Sequence, residues 1–297
     1  MNASHRLRLA APAKVNLGLW VGGARPDGFH DITTVILPLE FGDTVELALR
    51  RSGIRLRCDC PGVPEDESNL AWQAARLLLD TVRSPAGCAI RITKRVPPGA
   101  GLGGGSADAA AVLRGLNRLL GEPLSLSRLL RLGARLGSDV PALVLGRPCA
   151  ARGRGERLRP LRLPALNIIL CLPGFGVSTR WAYNRLDRSR PAGLTGPPMS
   201  PKILAARLRN NEPERAARLV RNSFEPVVFA RHPRLRRACR LLLDSGCAAA
   251  GLSGSGSTVY GLVSGPVRDD PMAALARLGF RAITTRSLPS PDRLPGR

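Results

Sequence analysis

The sequence predicts an α+β chain in two parts joined near residue 160, and three observations predict it. Strand patterns and helix patterns come in runs that do not alternate strictly, unlike an array of βαβ units. The texture changes after Gly153-Arg154-Gly155. At 297 residues with 44% hydrophobic content, each part is long enough to bury a core of its own.

Residues 7–22 and 32–49 alternate as strands, with turn chemistry in Gly22-Gly23 and Arg25-Pro26-Asp27-Gly28 between them. From Asn69 to Val82, Leu70, Ala74, Leu77 and Leu78 fall at helical spacing. Ile90 and Ile92 mark a strand that runs into Pro97-Pro98 and a glycine cluster. The next helix, Ser106 to Leu120, carries Val112, Leu113, Leu116, Leu119 and Leu120 on one side; Gly121 stops it and Pro123 follows. Ser125 caps a further helix that ends near Gly137.

In the second part, Leu166 to Leu172 reads as a buried strand ended by Pro173-Gly174. Residues 185–200, rich in Arg, Pro and Gly, read as a loop. Helical patterns occupy 201–209, 213–222 and 233–244, and Thr258 to Val263 is a strand. Asp270-Pro271 opens a last helix closed by Gly279. The expected organisation is a domain over 1–160, a second over 161–290 and a disordered tail over 291–297.

Composition narrows the function classes. No run approaches the roughly 20 apolar residues that span a bilayer, and Arg6, Arg8 and Lys14 break up any signal-peptide core. A soluble cytoplasmic protein is expected, with no membrane partner. The seven cysteines are odd in number and scattered, with no C-x-x-C pair, and there are only three histidines. Free thiols are expected rather than disulfides or a metal site, with Cys58 and Cys60 on one face of a strand. The formal charge of +23 invites nucleic acid, but the arginines are spread along the chain and aromatics make up only 4%, too few for a stacking platform. The charge is read as a field that attracts anionic substrates, with no nucleic-acid partner.

The chemistry concentrates in Pro97-Pro98-Gly99-Ala100-Gly101-Leu102-Gly103-Gly104-Gly105-Ser106-Ala107. A strand enters a glycine-rich loop and the loop opens a helix, whose first turn offers unpaired N–H groups and the positive end of the dipole. Glycine lets the backbone approach phosphate oxygens where a Cβ would intrude. Gly99-x-Gly101-x-x-Gly104 matches the dinucleotide fingerprint formally, but Glu122, the acid about twenty residues on, follows a helix instead of ending a strand. No Gly-Lys-Ser/Thr occurs, so this is not a Walker loop.

The stretch from Pro97 to Ala107 resembles the ATP-phosphate loop of the GHMP kinases. Pro12-Ala13-Lys14-Val15-Asn16-Leu17 resembles the first motif of that family, and Gly251-Leu252-Ser253-Gly254-Ser255-Gly256-Ser257 the third. The resemblance implies an N-terminal domain like part of a ribosomal protein, a ferredoxin-like C-terminal domain and an active site in the cleft between them. Arg25-Pro26-Asp27-Gly28-Phe29-His30 and Gly137-Ser138-Asp139-Val140-Pro141 are similar to elements of the branch that phosphorylates 4-diphosphocytidyl-2-C-methyl-D-erythritol. So are Pro173-Gly174 with Val177-Ser178-Thr179, Tyr183, and Asn222-Ser223-Phe224-Glu225. Phe29 stands where a tyrosine is usual, and Ala142-Leu143 where an aromatic pair is common.

The resemblance implies that Asp139 accepts the proton of the substrate hydroxyl; by position alone it is equally a helix cap. Lys14, one of three lysines, would hold Asp139 ionised and support developing charge. Asn16, two residues on and hence on the same strand face, would orient the substrate triol. Phe29 and Tyr183 would sandwich a cytosine ring, His30 would pair with its edge, and Ser253 and Gly254 would line the substrate. Ser106 is read as a helix cap or an Mg²⁺ ligand. With no metal cluster in the sequence, Mg²⁺ would arrive with ATP. The small-molecule substrate is the expected partner, and the protein a monomer or weak homodimer. Two rivals stay open: another GHMP kinase of homoserine or mevalonate type, and a silent nucleotide- or RNA-binding protein.

Overall fold

The computed structural model describes residues 6–189, 199–267 and 270–290, so the expected tail at 291–297 lies outside the described residues. In chain order the elements are β1 (Arg6–Ala24), β2 (His30–Arg50), β3 (Ile54–Cys58), α1 (Leu70–Thr81), β4 (Gly87–Thr93), α2 (Gly104–Leu119), α3 (Leu126–Leu136) and α4 (Val140–Leu145). There follow β5 (Cys149–Gly153), β6 (Arg157–Pro160), β7 (Asn167–Leu172), α5 (Thr179–Ser189), α6 (Pro201–Arg209), α7 (Pro213–Ala217), α8 (Glu225–Arg231) and α9 (Pro233–Asp244). The last four are β8 (Ala249–Leu252), β9 (Val259–Val263), α10 (Pro271–Arg277) and β10 (Arg281–Arg286).

Two compact units interleave along the chain: residues 1–13, 41–98 and 103–146 form one, and 14–40, 99–102 and 147–297 the other. The strands β1 and β2 each give one half to each unit.

In the first unit, β4 runs antiparallel to the C-terminal half of β2 and parallel to β3. One face of this sheet presents Leu47, Leu56, Ile90 and Ile92 to α1 and α2. The helix α1 starts because Asn69 stays extended and its side-chain oxygen accepts from the Ala71 N–H at 2.9 Å. The helix α2 buries Ala107, Ala109, Ala110 and Ala111, small side chains that let its backbone approach its neighbours. It begins two residues before the expected Ser106, because Gly103 takes the left-handed conformation (φ 70°) and serves as N-cap, leaving Ser106 inside the first turn. The half-buried Cys60 lies beyond the end of β3, so it does not share a strand face with Cys58.

In the second unit a four-stranded antiparallel sheet runs in the order β10-β7-β9-β8, with Leu170 opposite Tyr260 and Ile283 opposite Leu170 on its other side. The N-terminal half of β2 pairs with β5, and β5 with β6. The helices α5, α8, α9 and α10 supply Ala182, Val228, Leu242 and Leu275 to the core. The helix α5 reaches Ser189, so the expected loop over 185–200 begins later than its composition suggests; residues 190–198 lie outside the described residues. The expected helix over 213–222 stops at Ala217. The cap read at Asp270 is present, its carboxylate accepting from Met272 N and Ala273 N at 2.9 and 3.2 Å.

All seven cysteines are free thiols; Cys88, Cys149, Cys171, Cys239 and Cys247 are buried, Cys58 and Cys60 half-buried. Burial pushes the thiols of Cys88 and Cys171 up to about 12 and that of Cys247 up to about 11. No helix among the described residues is long and apolar enough to cross a membrane.

Candidate active site

The glycine loop is shaped by three left-handed residues, Gly99, Gly101 and Gly103, with φ of 71°, 78° and 70°. At Gly101 a Cβ would come 2.4 Å from the Ser253 carbonyl oxygen and 2.7 Å from that of Gly256, so both conformation and space demand glycine. The carbonyls between them are tied down: Ala100 accepts from Thr258 N at 3.0 Å and Leu102 from Lys14 N at 2.9 Å. The first bond inside α2 runs from Ala107 N to Gly103 O at 2.8 Å. The N–H groups of Gly104, Gly105 and Ser106 precede it and have no acceptor within the helix, the arrangement that suits phosphate.

Behind this helix start lies a buried charge cluster. Lys94 donates to Asp108 at 2.9 Å and also to Asp43, whose other oxygen accepts from Arg95 N and Val96 N at 2.5 and 2.8 Å. A Cβ on Gly104 would sit 3.1 Å from the Lys94 ammonium, so the cluster packs directly under the loop. Burial pushes the Asp108 carboxyl up to about 7; the Lys94 charge pulls it down and the Asp43 charge pushes it up again. Burial opposes the Lys94 charge, but the two carboxylates win and raise its pKa. The Oδ1 atom of Asp108 has no hydrogen-bond partner.

In the second unit, β1 and the turn after β8 bring the first and third motifs together. Lys14 is only 3% exposed and donates to Asn16 Oδ1 at 2.6 Å and to the Gly101 carbonyl at 3.2 Å. Asn16 donates through its amide to Thr34 Oγ1 at 3.1 Å, which fixes which end faces the lysine. Ser253 is fully buried; its hydroxyl donates to the Gly101 carbonyl at 3.0 Å and accepts from Asn16 N at 3.4 Å. Gly254 lies against the pair, since a Cβ there would stand 3.4 Å from both Lys14 Nζ and Asn16 Oδ1.

That turn is held from behind by residues whose role the sequence alone did not disclose. The Asn222 amide donates to the carbonyls of Leu252 and Gly254 at 2.7 and 2.8 Å, while its oxygen accepts from Phe224 N at 2.9 Å. Glu225 accepts from Leu252 N at 2.9 Å, and burial raises its pKa. The backbone of Asn222 also bridges to Leu19 on β1.

A third cluster surrounds His30. Its Nε2 lies 2.9 Å from Asp187 Oδ1, and its ring lies against Tyr183 with centroids 4.7 Å apart. Tyr183 meets Phe224 edge-on at 4.9 Å. Phe29 is 49% exposed, with the Arg154 guanidinium 4.7 Å over its ring. Asp187 is a partner that sequence reasoning missed. It is the only acid between Gly174 and Asn211, and it follows Tyr183 by four residues, one helical turn. Reading 179–189 as a helix exposes that signal.

Asp139 stands at the N-cap position of α4 in helical backbone geometry, half-buried, and its side chain makes no capping hydrogen bond. The capping explanation of this residue therefore fails. Pro141 in the first turn lets so short a helix start without such a cap.

Comparison with known proteins bears directly on these motifs. Residues 69–147 match the family of GHMP kinases N terminal domains and residues 204–277 that of GHMP kinases C terminal domains. A 4-diphosphocytidyl-2-C-methyl-D-erythritol kinase of Citrifermentans bemidjiense is 43% identical over 259 residues, which cover 86% of this chain and 89% of that protein.

The chain belongs to the GHMP kinases.

A crystal structure of 4-(cytidine 5'-diphospho)-2C-methyl-D-erythritol kinase matches this GHMP kinase with a TM-score of 0.77 and 35% identity, over 95% of this chain and 99% of that one. A homoserine kinase from Cytophaga hutchinsonii, at 21% identity and a TM-score of 0.72 over 97% and 96% of the two chains, shares the fold. As a member of the family, the GHMP kinase described here uses ATP.

Proposed function

We propose that this GHMP kinase transfers the γ-phosphoryl group of ATP to the 2-hydroxyl of 4-diphosphocytidyl-2-C-methyl-D-erythritol, giving the 2-phosphate and ADP on the non-mevalonate route to isoprenoid precursors. The hydroxyl oxygen bonds to the γ-phosphorus as the bond to the β,γ-bridging oxygen breaks, and the hydroxyl proton passes to Asp139. Lys14 supports the charge that develops, and Asn16, fixed by Thr34 and the lysine, orients the triol. The loop from Pro97 to Ala107 holds the ATP phosphates. Phe29 and Tyr183 flank the cytosine, His30 reads its edge, and Ser253 and Gly254 shape the floor beside Lys14.

The single observation that favours a cytidine substrate is the His30 cluster. A buried imidazole, oriented by Asp187 and backed by the Tyr183 ring, is a hydrogen-bonding edge beside an aromatic surface. Homoserine and mevalonate carry no ring whose edge such a pair would read.

The Ser106 hydroxyl in the first turn of α2 is a hard oxygen beside the N–H groups assigned to phosphate. Mg²⁺ therefore fits as an ion brought by ATP and touched by Ser106. Bound there, it would neutralise phosphate charge. The protein acts in the cytoplasm on a free small molecule, as a monomer or weak homodimer, with its positive charge drawing in anionic substrates.

The test is ADP release with each candidate acceptor. ADP should form with the cytidine substrate and stay at background with homoserine, mevalonate or no acceptor. Turnover of homoserine or mevalonate at a comparable kcat/KM would overturn the assignment, and no turnover with any acceptor would favour a silent nucleotide-binding protein.

A further inference from the structure

The first unit carries a second feature that the kinase reaction does not use. The sheet face opposite its core is covered by no helix among the described residues, and it forms a depression of about 1010 Å³. Its floor is a pair of alanines in register, Ala48 of β2 opposite Ala89 of β4. Around them stand Arg6 of β1, Arg50 of β2, Arg55 of β3 and Arg91 of β4, all exposed.

Two sequence choices on this face work against the sheet. Alanine is a poor strand residue, yet two lie side by side in the middle of it. Arg57 faces Arg91 directly across the β3–β4 pair, and like charges in that relation destabilise. Arg57 and Arg8 find partners in Glu65 and, at 3.7 Å, Glu46. None of Arg6, Arg50, Arg55 and Arg91 has a carboxylate within ion-pair distance among the described residues. Each choice is a cost to folding, and each gives an anion what it needs, the alanines room and the arginines charge. Where local rules are broken together at one place, a site is the economical explanation.

We propose that this face is a second anion site that takes a compact polyphosphate, either inorganic triphosphate or the polyphosphate end of a nucleotide. Planar guanidinium forks from adjacent strands, about 4.8 Å apart, match the oxygens of successive phosphates. The volume is at the upper end for a small-molecule pocket. Single-stranded nucleic acid fits less well, because no aromatic side chain lines the depression for bases to stack on. A bilayer fits less well too, since the exposed large hydrophobic residues, Phe29, Leu126, Phe175, Ile203 and Leu243, all lie elsewhere. The proposal stands independently of which alcohol the kinase phosphorylates.

The experiment is calorimetric titration of the whole protein with inorganic triphosphate at about 0.15 M salt, where diffuse surface attraction is screened beyond about 8 Å. Wild type should show two classes of site, the phosphate loop and the arginine face. Arg55→Ala/Arg91→Ala should lose one class while kcat and KM for ATP stay unchanged; folding is not endangered, because both side chains are exposed and the loss of Arg91 relieves its repulsion with Arg57. Arg55→Lys/Arg91→Lys keeps the charge and loses the forks, and should weaken that class by about tenfold. A second arm uses a nucleoside triphosphate: tighter binding than inorganic triphosphate at the same class assigns the site to a nucleotide, and equal or weaker binding assigns it to free polyphosphate. Unchanged stoichiometry in the alanine variant overturns the proposal. So does a lysine variant that binds like wild type, which would mean a general field.

Discussion

Asn222 holds Gly254 by its carbonyl, at 2.8 Å, and so fixes the glycine that lies against Lys14 and Asn16. The same amide reaches the Leu252 carbonyl at 2.7 Å. Asn222→Asp keeps the shape and replaces two donors by an anion facing two carbonyl oxygens. Buried acceptors left without donors cost about 1–3 kcal/mol each, so the thermal transition should fall by several degrees. Turnover should fall by about tenfold even well below that transition, because the turn beside Lys14 loses its support. Stability lost with kcat unchanged would make Asn222 a fold residue only.

Asp139→Asn should lower kcat by about 10²–10⁴-fold, the usual range for removal of a general base. Because the carboxylate makes no capping bond to α4, a lost cap is not an alternative explanation for the fall. ATP affinity should persist, since the phosphates are assigned to the glycine loop. The measurement is kcat on protein shown to be folded by its thermal transition. Retention of more than about half of wild-type turnover removes Asp139 from the chemistry.

The cytosine edge can be tested through Asp187, which touches His30 and not the reacting groups. The uridine analogue should react with a much lower kcat/KM than the cytidine substrate, because a site built on polar pairing rejects a mismatched edge. Asp187→Ala frees the imidazole, and should raise KM for the cytidine substrate by about tenfold with kcat little changed. It should also narrow the preference for cytidine over uridine. A variant with wild-type discrimination would take base reading away from His30.

The Asp108 carboxyl gives a pH signature. Its ordinary value is 3.8 and burial lifts it to about 7. Between about pH 4 and pH 7 the folded protein therefore holds a proton that the unfolded chain has released, and stability from this group falls as pH rises through that window. Asp108→Asn cannot ionise and escapes the decline. The difference in Tm, variant minus wild type, should grow from pH 5 to pH 8 and then level off. Parallel Tm profiles would show that Asp108 titrates in the ordinary carboxylate range.

Much of the candidate site was legible because glycine announces itself. The positive φ at Gly99, Gly101 and Gly103 is why the loop reads so clearly, and Lys14 stood out among arginines. The helix α5 was not legible, since only Ala182 and Leu186 are buried in eleven residues, Trp181 and Tyr183 are half-buried, and the rest is polar. β5, with its Cys-Ala-Ala-Arg-Gly, has no β-branched residue to betray a strand. The Lys94 cluster joins side chains 51 and 14 residues apart, a relation with no local period to read. The motif at Asn222 was visible, but its task is to hold two carbonyls 30 and 32 residues away, and backbone acceptors leave no trace in a sequence.

The cysteines make this protein simple to tag. Five of the seven sulfur atoms lie inside the cores, and raised pKa values keep Cys88, Cys171 and Cys247 as unreactive thiols at neutral pH. A maleimide dye would find only Cys58 and Cys60, and Cys58 ends β3, the strand that carries Arg55 and Arg57, with its own side chain turned to the core face. With Cys60→Ser, the chain would carry a single fluorescent reporter on the strand that bears Arg55 and Arg57, with no engineered cysteine, and its emission would register a change in that strand when a polyanion arrives.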